Sequence, residues 1–486
     1  MVHERTHALG PAGAMVMALA AFVLAPSGGV AQLADPEPSE VDAVFQEWDD
    51  EGLPGCAVGV MHEGELIYAQ GYGMANLDWG IPIDPSTVFY IGSISKQFAA
   101  AAVALLHMEG VVSLDDDVRR HIPELPDYGE TVTLRHLIHH TSGIRDTYAL
   151  LNLAGLRVAD AHDDDEYLEL IAGQGSLNFP PGEEYLYSNG AYYLLSETVR
   201  RATGRSLGAF TEERFFQPLG MESTHFHEDR ERIVPRRAMS YGGSSEEGFR
   251  QTYLGNFDKV GAGGLYSSIE DFVAWERNFL TDEIGEGGLM ELLLTRGELN
   301  SGETLDYAFA LSHGEHRGLP TVGHGGSFMG FRADYVRFPE ERFAVAVFCN
   351  LGSINPGGPA REVAELYLEP LMEPEPDDET DPTSDDPNED ESEPVAELSP
   401  EVLPEYAGDF RNRDLGVTYR VRLQGDTLRM ERPRATPQVL EWEEGDRFRA
   451  GGWEVEFLRA PDGEVRALSV DAGRARGVHF IRVSSP

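Results

Sequence analysis

Two lysines, Lys96 and Lys259, are all that this chain of 486 residues contains; the other 36 of its 38 basic residues are arginine. Positive charge is short altogether, since 84 acids leave a net charge of −46. So acidic a surface argues against nucleic acid or anionic membrane as a partner. Acid excess with lysine depletion reads as adaptation to high salt, where screening relieves self-repulsion. A GC-rich genome would also exchange Lys for Arg, but it leaves the acid excess unexplained.

Long apolar runs are missing too, with one exception. Ala12 to Ala25 (A-G-A-M-V-M-A-L-A-A-F-V-L-A) follows a short region containing Arg5 and precedes the small-x-small triplet Gly29 to Ala31. It is too short to span a bilayer and has the layout of a signal peptide. Residues 1–31 are therefore expected to be removed. No cysteine follows the cleavage site, so no lipid anchor is expected there. The mature protein is expected to be exported, periplasmic or secreted, without stable membrane insertion.

Cysteine is as scarce as lysine, with Cys56 and Cys349 alone. Cys56 opens a predicted strand and Cys349 closes another, so an antiparallel pairing would set them side by side and permit one bridge. Two separate small buried residues are nonetheless the favoured expectation.

Turning to what is present, Val41 to Asp49 reads as a helix. P-G-C-A-V-G-V-M (Pro54 to Met61) and L-I-Y-A-Q-G (Leu66 to Gly71) read as a hairpin turning at Glu63-Gly64. An alanine-rich helix is predicted from Ser93 to Glu109, stopped by Gly110. Strand signals return between Thr321 and Asn350, and a helix from Ala360 to Leu371 follows. Strands at both ends with helices between describe an α/β sandwich whose sheet draws on both termini of residues 41–372. Glu373 to Pro394 has 12 acids and five prolines in 22 residues, the composition of a disordered linker. Residues 397–486 alternate with period two through a series of short hairpins, which suggests a small antiparallel β-barrel. Nothing in that module clusters nucleophile, base or metal ligands, and it is expected to have no catalytic role.

Ser93 and Lys96, in F-Y-I-G-S-I-S-K-Q-F, stand at i and i+3 at a helix start and project from one face. A serine hydroxyl is a poor nucleophile until a base takes its proton. Lysine serves only when burial or a positive neighbour lowers its pKa, and the apolar residues from Phe98 onward provide the burial. Arginine stays protonated and is no substitute. In Y-L-Y-S-N-G (Tyr185 to Gly190), Tyr187 and Asn189 flank a small serine where a loop enters a helix. A phenol beside an ammonium has its pKa lowered and can accept the serine proton. Asn189 can donate to a substrate carbonyl and hold the lysine, or alternatively cap the helix. G-H-G-G-S, Gly323 to Ser327, lets substrate backbone lie along a strand, with His324 pointing into the cleft. The backbone amides of Ser93 and Ser327 would form an oxyanion hole.

With Ser93 and Tyr187 spaced 94 positions apart, these three elements resemble the serine hydrolases related to class C β-lactamases. That group includes penicillin-binding proteins, D-aminopeptidases and esterases. Further matching stretches are L-R-H-L-I-H-H-T-S-G-I, P-G-E-E-Y-L-Y-S-N and G-A-G-G-L-Y-S-S-I-E-D-F (Gly261 to Phe272). The resemblance implies an antiparallel five-stranded sheet flanked by helices, with a mostly helical subdomain. It implies Ser93 as acyl-forming nucleophile, Lys96 and Tyr187 as a coupled base, and Asn189, His324, Gly325 and Gly326 as substrate-binding residues. Many relatives carry lysine where this chain has His324, and that cation helps hold a substrate carboxylate. An ester, a D-amino-acid amide or a small peptide therefore fits at least as well as a β-lactam. The alternatives are a penicillin-binding or β-lactam-acylated protein, or a peptidoglycan- or partner-binding scaffold without turnover. His136, His139 and His140 lack a fitting carboxylate set, so no metal or cofactor is expected.

Overall fold

A type I′ turn at Glu63-Gly64, both residues at positive φ (53° and 76°), joins β1 (Cys56–His62) to β2 (Glu65–Tyr72) as expected from the sequence. In this computed structural model the described residues are 33–374 and 398–483, apart from 159, 161, 163, 253–258 and 286. The expected signal peptide lies outside them, as does the acidic linker from residue 375 onward.

Four later strands complete the sheet: β3 (Ser312–His316), β4 (Leu319–Phe328), β5 (Phe331–Phe338) and β6 (Phe343–Cys349). The order is β3-β4-β5-β6-β1-β2, antiparallel throughout, so β1 pairs with β6 and the two ends of this region meet at the sheet centre. The sandwich class is as expected, but the sheet has six strands rather than five. The added edge, β3, is a polar S-H-G-E-H segment that pairs only with the first half of β4. It leaves His324 to Phe328 beyond its end.

β1 and β6 are buried on both faces, and their side chains alternate between two cores. Ala57, Met61, Ala346 and Phe348 face the larger core, which holds α2 (Lys96–Met108) and α5 (Ile269–Thr281). Val58, Val60, Val345 and Val347 face a smaller core with α1 (Pro38–Val44) and α6 (Gly357–Leu368). Cys56 and Cys349 are register partners in this pair and are joined in a disulfide, which corrects the expectation of two separate residues.

Helix bounds differ from the sequence reading where caps decide. α1 starts at Pro38, ahead of Val41, because Glu37 and Glu40 form a reciprocal capping box, and a 3-10 turn (Gln46–Trp48) replaces its expected end. The α6 segment likewise starts earlier and finishes as a 3-10 turn, Glu369–Leu371. α2 is buried along nearly its whole length, and its ring residue Phe98 packs 4.3 Å from Trp275 and 5.4 Å from Phe216. Truncating such a side chain costs about 3–5 kcal/mol.

Nine antiparallel strands between Gly408 and Val483 form a nearly closed barrel. Its core is shared with the first region. Leu150 and Leu153 of α3 (Thr147–Leu153) pack among Phe410, Tyr419 and Phe480, and Tyr419 Oη donates to the Leu153 carbonyl at 2.7 Å. Among the described residues, no helix is long and apolar enough to cross a membrane.

Candidate active site

Ser93 sits in a 3-10 turn (Gly92–Ser95) immediately before α2, one turn earlier than a regular helix start. Two glycines allow the turn to lie against β4. Gly92 has φ +58°, and a Cβ there would meet Ser327 N at 2.6 Å; one on Gly326 would meet the Ile91 carbonyl at 2.1 Å. The backbones of Ser93 and Ser327 are thereby brought together, as an oxyanion hole requires.

Lys96 is fully buried. Its Nζ lies 3.3 Å from Ser93 Oγ and donates to Asn189 Oδ1 at 2.9 Å and to the Ala262 carbonyl at 2.5 Å. Burial drives the Lys96 pKa well below that of a free lysine; Asp146 opposes the shift and Arg474 adds to it. A neutral amine has two N–H groups and one lone pair. Two carbonyl acceptors satisfy the first, and the lone pair is left for the Ser93 hydroxyl. The Ala262 carbonyl comes from G-A-G-G-L, a motif whose spacing alone assigned it no task.

Tyr187 and Asn189 arrive where the chain enters α4 (Asn189–Thr203). Ser188, not Asn189, caps that helix, its Oγ accepting from the Ala191 amide at 3.1 Å. Asn189 is instead held by Asp146, whose Oδ2 accepts from the Asn189 backbone amide (2.8 Å) and from Nδ2 (2.7 Å). The amide oxygen is thus turned toward Lys96. The Tyr187 ring lies 4.7 Å from Lys96 Nζ. Its expected acidification does not occur: burial raises the Tyr187 pKa, against smaller lowering contributions from Ser93 and Arg474. The ammonium meant to lower it is itself disfavoured by burial. Tyr187 is therefore a neutral phenol, with a buried hydroxyl that lacks a hydrogen-bond partner of good geometry. His140 backs it at 4.2 Å and accepts from the Ser188 amide through Nδ1 at 3.1 Å. His136 belongs to the cap of the preceding helix, and His139 donates from Nδ1 to the Arg135 carbonyl at 3.1 Å.

His324 on β4 bonds Tyr307 Oη through Nε2 at 3.2 Å. Burial lowers its pKa to about 4, with Lys96 adding to the effect, so it is neutral near pH 7. Ser93, Tyr187, Asn189, His324, Gly325 and Gly326 all line one open cleft of about 770 Å3. Lys96 lies beneath its floor.

Two residues of this site escaped the sequence reading. Asp146 lies two residues past T-S-G-I but carries no local signal. Arg474 comes from the barrel, lines the same cleft, and sets its guanidinium 4.8 Å from the centre of the Tyr187 ring. The barrel is thus part of the cleft wall. Another cleft, of about 750 Å3, lies between α3 and the barrel, and its two arginines, Arg157 and Arg434, both face Asp160, at 2.7 and 3.9 Å. It holds none of the nucleophile–base residues.

Comparison with known proteins accords with this geometry. A family model described as Beta-lactamase matches residues 41–368. The chain belongs to the beta-lactamase family. Residues 392–482 match a domain of unknown function, DUF3471. Relatives of this beta-lactamase family member include a D-aminopeptidase of Gluconobacter oxydans, 33% identical over 297 residues, covering 61% of this chain and 56% of that protein. A D-aminopeptidase of Brucella canis is 30% identical over 303 residues, with the same coverage of 61% and 56%. The chain thus spans little more than half the length of these curated relatives. An octameric penicillin-binding protein homologue from Pyrococcus abyssi has a TM-score of 0.60 at 23% identity, covering 92% of this chain and all of that one. The D-amino acid amidase of Ochrobactrum anthropi has a TM-score of 0.57 at 20% identity, covering 67% and 98%. These two similarities establish a shared fold.

Proposed function

We propose that the protein is an exported serine hydrolase that cleaves the amide, ester or small-peptide bond of a D-amino-acid substrate through an acyl-enzyme on Ser93. The observation that carries this reading is Lys96: buried, biased toward the neutral amine, donating to two carbonyl oxygens and 3.3 Å from Ser93 Oγ.

The chemistry follows from that arrangement. Ser93 Oγ attacks the substrate carbonyl carbon while its proton passes to Lys96 Nζ. The carbonyl electron pair moves onto oxygen, facing the amides of Ser93 and Ser327. Collapse breaks the bond to the leaving group, which takes the proton from Lys96 through the Tyr187 hydroxyl. Tyr187 acts here as a neutral relay that receives and returns a proton together. Water then attacks the ester on Ser93, giving a proton to the same pair; the bond from the acyl carbon to Ser93 Oγ breaks, Oγ takes that proton, and the acid is released.

The D-amino-acid preference draws on the two named D-aminopeptidases, 33% and 30% identical over 297 and 303 residues. Neutral His324 brings no fixed charge to the strand edge, so a substrate without a carboxylate at that edge is accommodated there. Export is supported by the signal-like N-terminus and by the disulfide, a bond that persists in oxidising compartments. A panel of D- and L-alanine p-nitroanilides, p-nitrophenyl esters and a chromogenic cephalosporin tests the reading. Turnover of the D-alanine amide substrate above its L-enantiomer and the cephalosporin is the expected result. Preference for the cephalosporin would overturn the substrate assignment.

A further inference from the structure

We infer that Arg474, on the barrel turn 472–477, anchors a carboxylate of the substrate, so that the C-terminal barrel supplies an anion subsite to the cleft. This rests on the hydrolase reading above and adds a substrate feature to it.

The charge balance of the cleft points to an anion. In a chain of net charge −46, its lining holds two guanidinium groups, Arg332 and Arg474, and one carboxylate, Asp334. Asp334 already faces Arg361 at 3.6 Å. His324 is neutral near pH 7, and burial disfavours the charged form of Lys96 beneath the cleft floor.

Of the two arginines, Arg332 is committed to its own loop. Its Nη1 donates to the carbonyls of Met329 and Phe331 at 2.9 and 2.8 Å. Arg474 is exposed, and its guanidinium rests over the neutral Tyr187 ring with no carboxylate partner among the described residues. A planar guanidinium held by stacking presents its N–H edge to a carboxylate in the bidentate geometry that lysine lacks.

The turn that carries it is fixed. The Arg474 carbonyl accepts from the Asp146 amide at 3.1 Å and from Asn178 Nδ2 at 3.0 Å. Next to it, the Arg476 amide donates to Asn178 Oδ1 at 2.8 Å, and Arg145 Nη2 donates to the Arg476 carbonyl at 2.9 Å. The residue that orients Asn189 therefore also holds the barrel turn. Lys96 Nζ and the Arg474 guanidinium lie 4.7 and 4.8 Å from the same ring centre. An anion on Arg474 then lies about one or two residues along the substrate from the bond that Ser93 attacks. The substrate class is a short peptide whose free C-terminal carboxylate is close to the scissile bond.

Calorimetric binding to the full-length Ser93→Ala protein tests this without relying on turnover, so it is read even if Ser93 is no nucleophile. The ligands are D-alanyl-D-alanine and its C-terminal amide. The acid should bind about tenfold more tightly than the amide, the loss expected for one charge-assisted contact. Adding Arg474→Gln should remove that preference, and Arg474→Lys should keep part of it. The thermal midpoint of each variant reports whether the barrel remains docked, and if Arg474→Gln lowers it, Arg474→Lys decides. Equal affinity for acid and amide, a preference that survives Arg474→Gln, or no binding of either ligand would overturn the proposal.

Discussion

A single oxygen of Asp146 receives two hydrogen bonds from Asn189, one from the backbone at 2.8 Å and one from the side-chain amide at 2.7 Å. Its other oxygen accepts the Tyr148 and Ala149 amides and caps α3. One carboxylate thus orients the Lys96 acceptor, sets charge near the amine and starts the helix that docks the barrel.

Asp146→Ala should lose about 1 kcal/mol of stability with the cap and slow Ser93 acylation, because the Asn189 oxygen is no longer held toward Lys96. Asp146→Asn removes the charge and, with its one acceptor oxygen on the α3 amides, turns an NH2 donor toward Asn189 in place of the Oδ2 acceptor. Since Asp146 acts to raise the Lys96 pKa, its neutralisation lowers that pKa further. The ascending limb of acylation rate against pH, which follows loss of the Lys96 proton, should move to lower pH. A limb that stays or moves to higher pH would contradict this assignment.

Lys96→Arg should cut the acylation rate by about a thousandfold, because arginine keeps its proton. His324→Gln is the contrasting variant. With its pKa lowered to about 4, His324 has already lost its proton, so the shape of the profile between about pH 5 and 8 should be unchanged. Stopped-flow labelling across that range checks both.

What the sequence reveals here is local, and what it conceals is long-range. Ser93 and Lys96 share one helical turn, and Tyr187 and Asn189 share one loop, so residue type and spacing expose them. Asp146 meets Asn189 across 43 residues and Arg474 meets Tyr187 across domains, and only packing creates those contacts. The Tyr187 pKa was misjudged for a related reason: a charged neighbour can be imagined from sequence, whereas the burial that opposes ionisation depends on the completed fold. The hairpin at Glu63-Gly64 was legible because turn chemistry fixes it. The edge strand β3 was not, because S-H-G-E-H has no apolar alternation.

The Cys56–Cys349 bridge closes a separation of 293 residues across the central strand pair. Replacing both cysteines by alanine should lower stability by about 2–5 kcal/mol, since the cross-link restricts the unfolded chain. Thiol titration of the unfolded protein should find no free cysteine before reduction and two after it, the full complement of the chain.

The acid excess leads to a salt prediction. With net charge −46, self-repulsion is strongest at low ionic strength and is screened as the Debye length falls to about 3 Å at 1 M. Both thermal midpoint and activity should rise from low to molar NaCl. A flat or falling response would count against adaptation to high salt.

The central claim, that Ser93 is a nucleophile served by Lys96, is tested most directly by intact-protein mass spectrometry after treatment with a fluorophosphonate serine probe. The account predicts one adduct on the folded wild type, mapped by peptide analysis to Ser93 and absent from Ser93→Ala. Folded wild-type protein that remains unlabelled, or an adduct that persists in Ser93→Ala, would contradict it.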